Sequence, residues 1–228
     1  MASLGKERRL ERLNAYVEPG AIVSDRTYNL VLGGTVFYGI VINMILCALV
    51  GNVYYYINPI VFFIGYLVLC FGGIALAQSS NNPALSFLGY NMVVVPFGLV
   101  ISTLVEFYGG ISSSIVTDAF MYTALITAIM VVAALAYPAI FERMGGFLFV
   151  SLIALLICGI FSIFIGGMYT IYSYACAVIF SLYIGYDFHR SQMFARTVGN
   201  AINCALDIYM DIANLFIRLL EIFGRDRD

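Results

Sequence analysis

Seven apolar runs, each about as long as a bilayer is thick, follow one another with little between them. A helix needs about 20 mostly apolar residues to cross roughly 30 Å of hydrocarbon. The runs fall at about 28–50, 58–78, 84–107, 114–137, 147–166, 170–190 and 200–223. Breaks rich in Gly, Asn and Pro separate them: Gly51 to Pro59, Ser79 to Pro83, Gly109 to Ser114, Pro138 to Gly146, and Gly166-Gly167. Such spacing predicts an all-α integral membrane protein, a bundle of seven helices with no second, soluble domain. Composition agrees. The chain is 62% hydrophobic and 11% charged, where a soluble domain is about a quarter charged. So much apolar surface cannot be hidden in one globular core of this size.

Charge and cysteine usage exclude other classes. Beyond the tail there is no basic run, so nucleic acid is not an expected partner. A single histidine, His189, rules out a multi-histidine metal site. The five cysteines lie inside apolar runs without metal-ligand spacing, and read as buried free thiols. No cofactor is expected.

Residues 1–26 are polar and do not read as a signal peptide, so they are expected to form a cytoplasmic tail. Residues 27–224 then form the membrane domain and 225–228 a short C-terminal tail. The orientation follows the distribution of Lys and Arg. The tail carries Lys6, Arg8, Arg9, Arg12 and Arg26; the other basic loops hold Arg143, and Arg190 with Arg196. All three are cytoplasmic if the N-terminus is. Pro96 lies mid-run and should kink the third helix. Glu106 ends that helix and Asp118 begins the next, both on the outer side. Asp118 in a first turn would be stabilised by the helix dipole; together the two acids would otherwise form an acidic outer mouth that attracts cations.

The last run carries a pattern. Its polar residues are Asn200, Asn203, Asp207, Asp211, Asn214, Arg218 and Glu221, at steps of 3, 4, 4, 3, 4 and 3. That is one helical stripe held over about six turns. A helix polar along a whole stripe cannot face lipid on that side, so the C-terminal helix is expected to be central. In the preceding run, Asp187 is as far from Gly199 as Asp211 is. A turn near Thr197 to Asn200 would set these two carboxylates level, about 18 Å from the turn. In contact they cannot both ionise cheaply, so the pair shares a proton and changes charge on mild acidification. When ionised, it offers the hard oxygen ligands that suit Ca²⁺. Arg190 and Arg218 are candidate counter-charges. The bland alternative is that these acids merely pair with arginines to hold the bundle.

The stretch Ile179-Phe-Ser-Leu-Tyr-Ile-Gly-Tyr-Asp187, followed by Ile208-Tyr-Met-Asp211-Ile-Ala-Asn214-Leu-Phe-Ile-Arg-Leu-Leu220 and Phe223-Gly224, resembles the C-terminal signature of the Bax-inhibitor (transmembrane Bax inhibitor motif, or lifeguard) family. The resemblance implies a seven-helix bundle wrapped around its last helix. For a bacterial member it implies a pH-sensitive Ca²⁺ leak in the plasma membrane, not an enzyme, with Asp187 and Asp211 as the proton-sensing pair. The metal they would bind is the transported ion. The family also places basic residues after its second helix, one of which latches the aspartates. Here that stretch reads Gln78-Ser-Ser-Asn-Asn-Pro83 and has none. Asp207 is an additional acid whose role does not transfer.

The expected ion pathway thus comprises Asp187, Asp211, Asp207, Asn214 and Arg218. A proton-coupled cation exchanger would use the same acids, and a membrane scaffold would need none of them. An intramembrane aspartyl protease does not fit: the second aspartate stands in Tyr-Met-Asp rather than a Gly-x-Gly-Asp frame, and Pro83-Ala-Leu85 precedes both. The expected partners are lipid and calcium, and a monomer is favoured.

Overall fold

A computed structural model of the chain describes residues 21–79, 82–162 and 168–225. Seven α-helices fill them: α1 (Asp25–Leu49), α2 (Pro59–Ser79), α3 (Pro83–Phe107), α4 (Ser114–Ala136), α5 (Pro138–Ser162), α6 (Met168–Ser191) and α7 (Val198–Arg225). A short 3-10 turn, Val53–Tyr55, follows α1. Among the described residues no strand occurs beyond an isolated bridge between Ile22 and Thr197. By length and composition α1 to α6 are each able to cross a membrane. α7 is long enough too, about 42 Å for its 28 residues. Its stripe of charged residues sets it apart from the other six.

The helix starts follow local rules. Ser24 caps α1 by accepting from the Thr27 N–H, Asn82 caps α3 through the Ala84 N–H, and Ser113 caps α4 through the Ile115 N–H. Two expected boundaries move. The tail was to run to residue 26, yet α1 begins at Asp25, and Val23 already donates to the Arg196 carbonyl at 2.7 Å. The stretch Pro138 to Gly146 is not a break but the first two turns of α5. Proline suits the first helical position, where its missing N–H would have no partner anyway. The Gly166-Gly167 break, most of the tail, and part of the loop after α2 lie outside the described residues.

The helices group into two compact units. The first holds α1, α2, α3 and α7 up to Tyr209. Here α3 packs on both α1 and α2. α2 and α3 meet at Gly73 and Gly89, where a Cβ on either would come within 2.7 and 2.5 Å of the other's carbonyl oxygen. Asn43 of α1 donates to the Tyr209 hydroxyl at 2.6 Å, and Tyr90 of α3 to the Thr35 carbonyl at 2.8 Å. Arg196 pairs with Asp25 at 3.0 Å and lies over the Tyr28 ring.

The second unit holds α4, α5, α6 and α7 from Met210. α6 packs on both α4 and α5. The Phe141 ring of α5 fills the space beside Gly185, leaving no room for a Cβ. α5 exposes nearly all its apolar side chains, burying only Phe141, Leu148 and Ser162. Cys158 is therefore exposed rather than buried as expected, whereas Cys70, Cys176 and Cys204 are buried.

Candidate functional site

Asp187 lies one turn from the C-terminal end of α6 and is buried, 9% exposed. Arg190, three residues on, reaches its Oδ1 at 3.3 Å. Asp211 lies near the middle of α7 and is 8% exposed. Both carboxylates are close enough to the Tyr183 phenol to act on it electrostatically. Tyr183 stands one turn before Asp187 on the same helix, and all three groups belong to the second unit. Sequence reasoning named the two aspartates and missed the tyrosine, although its place four residues before Asp187 puts it on the same helix face.

The aspartates are staggered rather than level. The connector between α6 and α7 is residues 192–197, not a turn about Gly199. Near the far ends of the two helices, Ser173 faces Glu221 and Thr170 faces Arg225. Ten residues further along α6 and ten back along α7, it is Tyr183 that comes level with Asp211. Asp187 stands one turn, about 6 Å, closer to the connector.

The remaining stripe residues are placed individually. Asn200 is buried and donates to the Ala195 carbonyl at 3.0 Å. Asn203 and Asp207 are half-buried and belong to the first unit. Asn214 is half-buried and donates to the Met210 carbonyl at 2.8 Å. Arg218, expected to serve Asp211, instead pairs with Glu221 at 2.8 Å. Three residues along a helix is contact distance, and seven is two turns. Glu221 is 8% exposed and also accepts from Tyr169 at 2.8 Å and Ser173 at 3.1 Å. Arg218 lies over the Tyr172 ring and Arg225 over that of Tyr169.

Glu106 is exposed at the end of α3 in the first unit. Asp118, in the second unit, is half-buried in the second turn of α4; Ser113 caps that helix, and its first turn holds no acid. The first-turn dipole reading of Asp118 is therefore corrected. Among the described residues no three His, Cys, Asp or Glu side chains cluster to hold a metal ion. A cation meeting Asp187 and Asp211 would keep much of its own hydration.

The family model described as Inhibitor of apoptosis-promoting Bax1 matches residues 21–228. The chain belongs to this family. It is 31% identical over 176 residues to an uncharacterized protein of Helicobacter pylori strain J99, covering 74% of this chain and 73% of that one. It is 28% identical over 172 residues to an uncharacterized membrane protein of Streptococcus pyogenes serotype M1, covering 70% and 71%. This protein is thus a membrane protein of the Bax-inhibitor type, and its Bax-inhibitor match takes in all seven helices, α7 and its stripe included.

Proposed function

We propose that this protein is a pH-sensitive calcium leak, opened and closed by protonation of Asp187 and Asp211. The observation that carries the reading is that α6 and α7 each hold a buried carboxylate in the same compact unit, Asp187 and Asp211, both near enough Tyr183 to act on its phenol electrostatically. Buried acids that share a neighbour hold protons jointly, so mild acidification changes the charge of the whole group. When ionised, the group offers oxygen ligands to Ca²⁺. When protonated, it loses them and α6 and α7 repack.

In this reading α7 is a seventh span at the centre of the bundle. None of its residues is exposed, and its polar stripe must be kept from lipid. Arg143, Arg190 and Arg196 support a cytoplasmic N-terminus, and the membrane in this reading is a bacterial plasma membrane. The protein acts as a monomer and catalyses no reaction.

The test is pH-dependent uptake of radioactive calcium by proteoliposomes. Wild-type protein takes up calcium to an extent set by pH, and Asp211→Asn abolishes that dependence. If Asp211→Asn folds and leaves both uptake and its pH response unchanged, the reading is lost. Proton counter-flow at a fixed ratio would make the protein an exchanger, and absence of any flux a scaffold.

A further inference from the structure

Although none of α7 is exposed, part of it is only half-buried. Asn203, Asp207, Met210, Asn214, Arg218 and Arg225 all keep partial exposure and step along the helix by 4, 3, 4, 4 and 7; the apolar Val198, Phe216 and Phe223 keep it too. These steps trace one line. It begins acidic, at Asp207, and ends basic, at Arg218 and Arg225. If a cation moves along α7, this is the side it follows.

Arg218 stands seven residues past Asp211, about 10 Å along the axis. Its guanidinium is fixed. Nη1 donates to Glu221 Oε2 at 2.8 Å and the Tyr172 ring lies beneath it, 5.1 Å from centroid to Cζ. Glu221 is held in turn by Tyr169 and Ser173, and Arg225 donates to the same Ser173 hydroxyl at 3.0 Å. Nε of Arg218 is buried and finds no acceptor among the described residues. Of the pair, the Arg218 side chain is the more exposed, 18% against 10% for Glu221. A passing cation therefore meets the positive partner first.

We propose that Arg218 is a selectivity-determining residue: a fixed positive charge on the accessible line of α7 that holds back cations, with its strength set by the buried Glu221 beside it. Arginines that raise barriers to cations are a known way of tuning a pore. The inference rests on the reading of the protein as a calcium leak.

The test compares Arg218→Gln, Arg218→Lys and Glu221→Gln in the full chain, by calcium uptake into proteoliposomes at fixed pH. A charge barrier predicts effects of opposite sign. Arg218→Gln raises uptake on the order of tenfold, as loss of a nearby unit charge would. Arg218→Lys keeps it near wild type. Glu221→Gln retains an acceptor for Tyr169 and Ser173 but strips Arg218 of its counter-charge, so uptake falls. A purely structural ion pair predicts the same sign for both, since each breaks the same contact. Uptake that moves in the same direction in the two variants, or in neither, overturns the proposal. If Arg218→Gln does not fold, Glu221→Gln decides alone: a fall with an unchanged pH profile supports the barrier, and a rise or no change refutes it. Wild-type vesicles with no uptake above protein-free ones would sink the leak reading and this inference together. A pH-dependent wild type with same-sign variants sinks only the inference.

Discussion

The two ends of the α6–α7 pair carry opposite charge balances. Toward the connector, two carboxylates, Asp187 and Asp211, stand with Arg190, which pairs with Asp187. At the other end, Arg218 pairs with the Glu221 carboxylate and Arg225 donates to the Glu221 backbone carbonyl. The hydrogen bonding differs as much as the charge. Glu221 takes three side-chain bonds, from Tyr169, Ser173 and Arg218, each of 3.1 Å or less. The Asp187–Arg190 contact is longer, 3.3 Å, and its arginine is 23% exposed. Buried ion pairs with short bonds on every side are costly to disturb. In the proposed function the Glu221 end stays fixed and the aspartate end responds.

Substitutions can break this contrast. The largest loss of stability is expected for Glu221→Leu, which leaves Arg218 without its carboxylate partner. Removing one partner of a buried pair costs about 3–5 kcal/mol, and the low end applies because Arg218 keeps 18% of its side chain exposed. Thermal unfolding in detergent measures it, and a loss under about 1 kcal/mol would mean this end is not fixed. Tyr169→Phe is milder. It deletes one bond to a charged acceptor, worth about 1.5 kcal/mol, while keeping the ring beneath Arg225. A Tyr169→Phe protein as unstable as Glu221→Leu would mean that the phenol, not the charge, holds the end together.

Much of this was legible in the sequence, and the failures have physical causes. The breaks between apolar runs located the helices apart from the start of α5, because Gly, Asn and Pro mark chain reversals. The break at Pro138 was misread since proline both ends and starts helices; only the fold tells which. The polar stripe was readable from spacing alone, because a helix fixes which residues share a face. Pairing across helices was not. The symmetry about Gly199 set Asp187 level with Asp211, whereas the Ser173–Glu221 contact shifts the register by one turn. Register depends on how the connector 192–197 is packed, and nothing in the spacing of one helix encodes it. Arg218 was offered Asp211 although Glu221 lies three residues away. Local i,i+3 geometry outweighs a partner two turns off.

Arg190→Gln is the smallest change in stability and the sharpest test of the responsive end. Arg190 is 23% exposed and its contact with Asp187 is the longer of the two pairs, so the loss should be smaller than for Glu221→Leu. Arg190 is the positive charge beside Asp187, so under the proposed gating its loss should change the pH dependence of calcium uptake. An unmoved pH profile would show that Arg190 does not act on the pair, and a large loss of stability would show that both ends are built alike. Either result would remove the asymmetry along α6 and α7, because that asymmetry requires one ion pair that can be lost without unfolding and one that cannot.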